Sequence, residues 1–250
     1  MWVLTVFLFT APFILFTLAA PWYLYLIAAP FLLKITFAWR SLEEHTQRIV
    51  HAAGRDLDEA RSCAGLMVSR DSSTLTKEQV LSAGYESMSE NLVDSIISPL
   101  FYFGIAGLPA AAAYRAINTM DAMLGYKDER ADLGWWSARM DDLFNYIPAR
   151  ITGALLLLYF WSKGRYRPAL DALRRDSVKR PGFNGGIPMS IMAGGTGVRF
   201  DKPGVYFMGP GERSLEEGGR EILNALRAVT LIFSILVVLT LVLLQLLLNI

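Results

Sequence analysis

Three acidic side chains in the first half of the chain follow one another at intervals of four residues. They are Glu86, Glu90 and Asp94, and this spacing stacks them along one face of a helix. Like charges so arranged repel, and the cost grows where a helix enters an apolar run, as this one does at Ile96. We therefore predict that a Mg²⁺ ion or a substrate ammonium group neutralises them, in preference to a solvated helix face paired with arginines.

Two further groups offer oxygen ligands, and the second of them also contains arginine. Asn118 and Asp121 are three residues apart and face the same way on a helix, although a turn or an N-cap is the preferred explanation of that pair taken alone. The second group is Arg139, Asp141, Asp142, Asn145 and Arg150. Adjacent carboxylates beside guanidinium groups suit a metal and phosphate site, and intrahelical Arg–Asp pairs are the alternative.

Glycine is concentrated late in the chain, in Phe183-Asn184-Gly185-Gly186-Ile187-Pro188-Met189 and from Ala193 to Gly204. Such a segment could surround an anion with backbone N–H groups, or it could be a surface loop. Neither a Walker loop nor a G-x-G-x-x-G occurs in the sequence. If a nucleotide binds, it binds by an uncommon route.

The elements that carry these residues belong to a membrane protein. The chain is 53% hydrophobic and 19% charged, and its first 33 and last 23 residues carry no formal charge. Residues 228–250, preceded by Arg213, Arg220 and Arg227, predict a transmembrane helix that starts in the cytoplasm. Residues 1–33 predict one kinked crossing or two short ones, and we expect no cleaved signal peptide because no basic residue opens them.

Between these ends the chain predicts helices and one broken membrane segment. From Lys34 an amphipathic helix runs to Gly54, Asp56 caps a second, and Thr76 with Gln79 forms the capping box of a third, from about residue 77 to 97. Helix breakers interrupt the uncharged stretch 95–114, so we predict a broken or re-entrant element. These breakers are Pro99, Gly104, Gly107 and Pro109.

The predicted fold class is an all-α polytopic membrane protein with N- and C-terminal transmembrane helices, broken or re-entrant central segments and a Gly-rich cytoplasmic loop region. We divide it into 1–33, an N-terminal membrane segment; 34–94, cytoplasmic helices with the acidic motif; 95–162, re-entrant segments; 163–227, the Gly-rich cytoplasmic region; and 228–250, the C-terminal helix. Basic flanks place 34–94 and 163–227 in the cytoplasm. The intervening chain must then cross an even number of times. Two crossings would place Asn118, Asp121 and much of the Asp141 group on the outer side, away from the other motifs, so we predict no net crossing.

The composition also excludes several functions. Cys63 is the only cysteine, so no disulfide framework or cysteine metal site can form. His45 and His51 are the only histidines and are too few for a His-rich zinc site. The 24 basic and 23 acidic residues leave no basic surface for nucleic acid, and any metal would have oxygen ligands.

Four long motifs, in this order, closely resemble the adenosylcobinamide-phosphate synthase family of cobalamin biosynthesis, also called CbiB or CobD. They are ESMSENLVDSIISPLFY, YRAINTMDAMLGYK, ARMDDLFNYIPAR and NGGIPMSIMAGGTGVRFDKPGVYFMG, and the resemblance runs from about Ser41 to Gly211. Two features depart from the family pattern. A His-Pro-Val stretch usual near the N-terminus is missing, and Ser69 replaces a common glycine before Arg70.

The resemblance implies an ATP- and Mg²⁺-dependent amide ligase that joins the propionate carboxylate of adenosylcobyric acid to aminopropanol phosphate or a related amino-alcohol phosphate. It implies a multi-pass protein of the cytoplasmic membrane whose active site faces the cytoplasm. The bilayer and these substrates are the expected partners, nucleic acid is not one, and a homo-oligomer or other membrane enzymes of cobalamin assembly are further candidates.

With this resemblance, each candidate residue receives a role. The catalytic candidates are Glu86, Glu90, Arg139 and Asp142. The metal candidates are Glu86, Glu90, Asp94, Asp121, Asp141 and Asp142. The candidates for binding substrate or nucleotide are Arg70, Asn91, Asn118, Lys127, Asn145, Arg150, Asn184, Gly185, Gly186, Gly194, Gly195 and Lys202.

Two other classes of function stay open from the sequence. Intramembrane transferases that bind Mg²⁺-diphosphate also use Asn- and Asp-rich motifs at helix ends, but the Gly-rich region argues against them. A transporter or a non-enzymatic corrinoid-handling protein explains the apolar content. It does not explain so many clustered carboxylates and arginines.

Overall fold

The computed structural model describes residues 2–68, 70–124 and 131–248, and most of them are helical. The α-helices of this part of the chain are α1 (Trp2–Ala19), α2 (Trp22–Thr36), α3 (Trp39–Ala53), α4 (Leu57–Gly65), α5 (Lys77–Leu92), α6 (Ser98–Leu124), α7 (Ala131–Ser162), α8 (Tyr166–Asp176), α9 (Gly186–Thr196) and α10 (Leu215–Leu248). A π-helix spans Val93–Ile97, a 3₁₀ helix Ser177–Lys179, and two short strands are β1 (Phe200–Lys202) and β2 (Tyr206–Met208).

Five helical stretches of the described chain are long and apolar enough to cross a membrane, judged by length and composition. They are Trp2–Ala19, Trp22–Ala53, Lys77–Leu124, Gly134–Ser162 and Leu215–Leu247. This confirms the predicted class, an all-α polytopic membrane protein. The C-terminal helix α10 already begins at Leu215, well before the uncharged stretch that predicted it.

The N-terminal apolar segment forms two helices, α1 and α2. The chain is extended at Pro21, between α1 and α2, whereas Pro12 and Pro30 lie inside these helices. At the start of α2 a proline leaves no backbone N–H without a helical partner. Lys34 belongs to α2, and the amphipathic helix α3 begins only at Trp39 after an extended residue, Phe37.

Both predicted helix caps are confirmed. The Asp56 carboxylate accepts hydrogen bonds from the backbone N–H groups of Asp58 and Glu59 at 2.9 and 3.3 Å. Thr76 and Gln79 form a reciprocal capping box at the start of α5. Each cap satisfies N–H groups that have no partner within their own helix. The capping box thereby sets the first residue of α5, the helix that carries Glu86 and Glu90.

The predicted break in the central apolar stretch is also confirmed. The π-helix Val93–Ile97 joins α5 to α6, and α6 is interrupted at Ala106 and Gly107. Gly107 has φ of 68° and ψ of −156°, a conformation that side chains with a Cβ rarely adopt. A π-helix and a helix break both disturb the regular hydrogen-bond ladder, and they occur frequently at functional sites.

The prediction of a loop was wrong for residues 186–196, which form the buried helix α9. Its glycines allow close contact between helices. A Cβ at Gly194 would lie 2.4 Å from the Ala172 Cβ, and one at Gly195 would lie 2.4 Å from the Phe160 ring. The glycine-rich composition therefore has a packing explanation here, and the chain then forms an antiparallel hairpin that pairs Phe200 with Met208.

The chain forms two compact units. Unit 1 comprises Met1–Ala38, Asp94–Pro148 and Ile232–Ile250, and within it α1 and α2 pack against α6. Unit 2 comprises Trp39–Val93 and Ala149–Leu231. In unit 2, α3 packs against α4 and α5, α8 packs against α9, and strand β1 lies on α5.

Candidate functional site

The centre of the polar cluster in unit 2 is Glu86, on α5. The residue is only 5% exposed. The Ser82 hydroxyl donates to Oε1 at 2.5 Å, the Tyr206 hydroxyl donates to Oε2 at 2.8 Å, and Arg70 Nη2 donates to Oε1 at 3.3 Å. Burial, and next the negative charge of Glu86, raise the pKa of Tyr206 far above its ordinary value, so Tyr206 stays protonated and keeps donating.

The β-hairpin is attached to α5 at the same place. The backbone N–H of Asp201 in β1 donates to the Ser82 hydroxyl at 2.6 Å, and Tyr206 begins β2. Lys202, a candidate binding residue, lies with Nζ 6.0 Å from the centre of the Tyr206 ring. The hairpin thus places Tyr206, 120 positions further along the chain, in contact with Glu86.

One turn further along α5, Glu90 forms an ion pair with Arg180. Arg180 also donates from Nη1 to the Pro181 carbonyl at 2.8 Å. A Cβ at Gly185 would lie 2.7 Å from Arg180 Cζ, so glycine lets the guanidinium lie against the backbone at this point. Asn91 donates to the Ser87 carbonyl at 2.9 Å within α5.

Arg150 contacts the segment that precedes α9. Its Nη1 donates to Asn184 Oδ1 at 2.7 Å and its Nη2 to the Phe183 carbonyl at 3.2 Å. Arg150 and Arg180 therefore both lie at residues 181–186, where α9 begins with Gly186. Two guanidinium groups beside the positive end of a helix are chemically suited to phosphate oxygens.

Unit 1 contains a second polar cluster, centred on Asp141 and Asn145 of α7. Asp141 accepts from Asn118 Nδ2 at 3.1 Å and from Asn145 Nδ2 at 2.9 Å. Asn145 is 1% exposed, and its Oδ1 accepts from the hydroxyls of Ser98 and Tyr114 at 2.6 and 2.8 Å. Buried polar groups among apolar helices are costly unless paired, and this network pairs them.

The remaining unit 1 candidates surround this network. Asp121 and Asp142 interact electrostatically with Asp141, and Tyr114 also donates to the carbonyl of Asp94 at 3.0 Å. Arg139 is exposed, and its Cζ lies 5.7 Å from the centre of the Trp135 ring, a cation–π contact.

The metal assignments stay predictions. Among residues 2–68, 70–124 and 131–248, no three His, Cys, Asp or Glu side chains come together as a metal-binding group. Glu86 and Glu90 belong to unit 2, whereas Asp94, Asp121, Asp141 and Asp142 belong to unit 1. Because Mg²⁺ commonly takes one or two carboxylates and completes its shell with water and substrate phosphate, the carboxylates of either unit are enough in number for such a site.

The remaining candidates are three glycines of α9 and Lys127. Gly194 and Gly195 lie at the helix contacts of α9, and Gly186 packs against the Ser177 carbonyl, 2.0 Å from an added Cβ. Lys127 lies outside the described residues. The candidates that the structure brings into direct contact are Arg70 with Glu86, Arg150 with Asn184, and Asn118 and Asn145 with Asp141.

Sequence reasoning missed several residues of both clusters. Ser98, Tyr114 and Tyr206 lie inside the motifs that carry the family resemblance, so a closer reading of those motifs offers a signal for them. Ser82 and Arg180 lie outside the motifs, and only the fold brings them to Glu86 and Glu90.

The fold and these clusters define a class, a helical multi-pass membrane protein in which each of the two units contains a network of charged and amide side chains. The model of the family "CobD/Cbib protein" matches residues 1–246. The chain therefore belongs to the CobD/Cbib family, whose curated members are named for cobalamin biosynthesis.

Relatives from archaea support this membership. The chain is 41% identical over 180 residues to the probable cobalamin biosynthesis protein CobD of Methanothermobacter thermautotrophicus, 71% of this chain and 61% of that protein. It is 43% identical over 202 residues to the protein of that name in Thermococcus kodakarensis, 80% of this chain and 64% of the other. The matched segment thus spans less than two thirds of these relatives. No solved structure matches the chain.

Proposed function

We propose that this protein is an adenosylcobinamide-phosphate synthase, which joins a corrinoid carboxylate to an amino-alcohol phosphate at the expense of ATP. The observation that carries the proposal is the membership of residues 1–246 in the CobD/Cbib family. The arginines, carboxylates and amides of the two polar clusters are groups of the kinds that such a reaction requires.

The chemistry needs activation because a carboxylate is a poor acyl donor. We propose that a propionate oxygen of adenosylcobyric acid attacks the γ-phosphorus of ATP, which releases ADP and leaves an acyl phosphate. The amine of aminopropanol phosphate then attacks the acyl carbon. The tetrahedral intermediate expels phosphate, the nitrogen loses a proton, and an amide remains.

Different parts of the chain suit different tasks in this proposal. In unit 2, Arg150 and Arg180 near the start of α9 are the proposed ligands of phosphate oxygens, since guanidinium binds them bidentately. In unit 1, Asp141 with Asp121 and Asp142 are the proposed ligands of Mg²⁺. A bound Mg²⁺ would act there as a Lewis acid toward an oxygen ligand of the substrate. We propose the cytoplasmic membrane as the location, with the reaction on its cytoplasmic side.

The test is turnover by the purified protein in detergent or lipid nanodiscs. We expect the amide product by mass spectrometry, together with ADP, when adenosylcobyric acid, aminopropanol phosphate, ATP and Mg²⁺ are all present. Omission of each component in turn is the control, and ethanolamine phosphate tests the choice of amine. Corrinoid binding without ADP release or amide under any of these conditions would instead favour a non-enzymatic corrinoid-handling protein.

A further inference from the structure

Glu86 is occupied by groups of the protein itself. Both carboxylate oxygens already accept hydrogen bonds, from Ser82 and Arg70 at Oε1 and from Tyr206 at Oε2. Ser82 is fully buried, so this arrangement is held within the core of unit 2. A carboxylate that accepts these hydrogen bonds can orient the groups that donate them. Of these groups, Arg70 has further N–H donors that Glu86 does not use.

Arg70 keeps hydrogen-bond donors in reserve. The guanidinium group carries five N–H bonds, and Nη2 donates to Glu86. In the part of the chain that the structure describes, its buried Nε and Nη1 have no hydrogen-bond partner. Leaving buried charged donors unsatisfied costs more than a typical hydrogen bond contributes, so an acceptor from outside the protein is expected at these two nitrogens.

The surroundings favour a charged acceptor. Hydrogen bonds between ionised partners are about twice as strong as neutral ones. Lys202 lies beside Tyr206, a partner of Glu86, with Nζ 6.0 Å from the Tyr206 ring centre. The Arg70 side chain is 16% exposed, whereas its Nε and Nη1 atoms are themselves buried.

We propose that Arg70 binds an oxyanion of a substrate through Nε and Nη1, and that Glu86 and Tyr206 are positioning residues that hold the guanidinium for it. The identity of the substrate rests on the proposed function, which offers three carriers of such a group. These are the propionate of adenosylcobyric acid, the phosphate of aminopropanol phosphate and the phosphates of ATP.

The first experiment measures the binding of each of these three compounds alone, by calorimetry on the purified protein. We expect Arg70→Lys to raise the dissociation constant of one of them by about tenfold or more, since lysine keeps the charge but loses the planar array of donors. The compound affected identifies the source of the oxyanion. The matched control is Arg174→Lys, an exposed arginine of unit 2, which should leave all three constants unchanged.

A second variant guards against misfolding. Arg70→Met leaves Glu86 buried without its cation, so we combine it with Glu86→Gln, which removes both charges of the pair together. The double variant should unfold near the wild-type temperature and lose the same binding. Unchanged affinity for all three compounds in Arg70→Lys and in the folded double variant would overturn the proposal and indicate that water satisfies the Arg70 donors.

Tyr206→Phe tests the positioning role. It removes one donor to Glu86 and leaves the charge of Arg70 in place, so we expect the KM for the compound affected by Arg70→Lys to rise several-fold while kcat stays within twofold. A fall in kcat with the KM of every substrate unchanged would contradict a positioning role. The inference and the proposed function can fail separately, because binding that depends on Arg70 can be measured in a protein that forms no amide.

Discussion

Asn145 illustrates how single side chains support unit 1. It is 1% exposed, and it connects Ser98 and Tyr114 at Oδ1 to Asp141 at Nδ2. We predict that Asn145→Leu lowers the apparent unfolding temperature in detergent, because each partner left unsatisfied costs roughly 1–3 kcal/mol.

The comparison variant for this prediction is Tyr102→Phe. It removes a single hydrogen bond, from the Tyr102 hydroxyl to the Phe144 carbonyl at 2.8 Å, which contributes about 0.5–1.5 kcal/mol. Scanning fluorimetry of both variants should therefore show the larger loss for Asn145→Leu. A loss no greater than that of Tyr102→Phe would show that the network does not stabilise unit 1.

Glu90 leads to a prediction about metal dependence. The Arg180 guanidinium balances the negative charge of the Glu90 carboxylate within unit 2. The sequence also predicts Glu90 as a metal ligand. If Glu90 is a metal ligand, as the sequence predicts and as an alternative to the unit 1 carboxylates, Glu90→Gln should require several-fold more Mg²⁺ for half-maximal turnover while the protein stays folded. The measurement is the rate of ADP release as Mg²⁺ is titrated.

The control for Glu90 is Glu78→Gln, at an exposed position of the same helix. It should leave the Mg²⁺ dependence unchanged. If Glu90→Gln also leaves it unchanged, Glu90 is a partner of Arg180 and contributes nothing to metal binding.

At the scale of elements, α9 depends on glycine for its packing. A Cβ at Gly195 would lie 2.4 Å from the ring of Phe160, which is fully buried. We predict that Gly195→Ala destabilises the protein by about 1–3 kcal/mol through overpacking, although alanine by itself favours a helix. A lower apparent unfolding temperature checks this, and Gly54→Ala, whose Cβ would meet its nearest atom at an ordinary 3.5 Å, should change it little.

The end of α8 is joined to the β-hairpin by Asp176. Its carboxylate accepts from Arg175 and Lys179 at 2.8 Å and from the backbone N–H of Gly209 at 2.9 Å. Burial by itself raises the pKa of Asp176, but these hydrogen bonds, first those of Arg175 and Lys179, outweigh it and lower the pKa well below the ordinary value.

This pKa determines how stability should depend on pH. A carboxyl group with a lowered pKa in the folded state stabilises the fold above its unfolded pKa of about 3.9 and loses that contribution as the pH falls further. We predict that the unfolding temperature of Asp176→Asn is lower than that of the wild type at pH 7, and that the gap narrows below about pH 4. Asp171→Asn, at an exposed position of α8, should show no such gap.

At the scale of the whole molecule, the membrane topology leads to a further prediction. Basic flanks predict residues 34–94 and 163–227 on the cytoplasmic side, and the break at Ala106 and Gly107 suits a segment that does not cross as one straight helix. We predict that a cysteine at Asp128→Cys, in a Cys63→Ala background, reacts with an impermeant thiol reagent from the cytoplasmic face. Labelling from the outside would contradict the predicted topology, in which the segments between residues 95 and 162 enter and leave the membrane on the cytoplasmic side.

Local rules explain which parts of the fold were predictable. The caps at Asp56 and Thr76 and the break near Gly107 follow from residue types at fixed short spacings, and each is confirmed. The helix at Gly186–Thr196 was not predicted, because glycine disfavours an isolated helix. Here the close approach of Ala172 and Phe160 outweighs that preference.

The sequence by itself determined the class of protein, the caps, the helix break and the family, because hydropathy, capping and motif order are properties of neighbouring residues. Only the tertiary structure decided that Tyr206 and Arg70 meet at Glu86, and that Arg180 pairs with Glu90. Those contacts join residues up to 120 positions apart. Their formation depends on how helices and a hairpin pack, which no short spacing along the chain encodes.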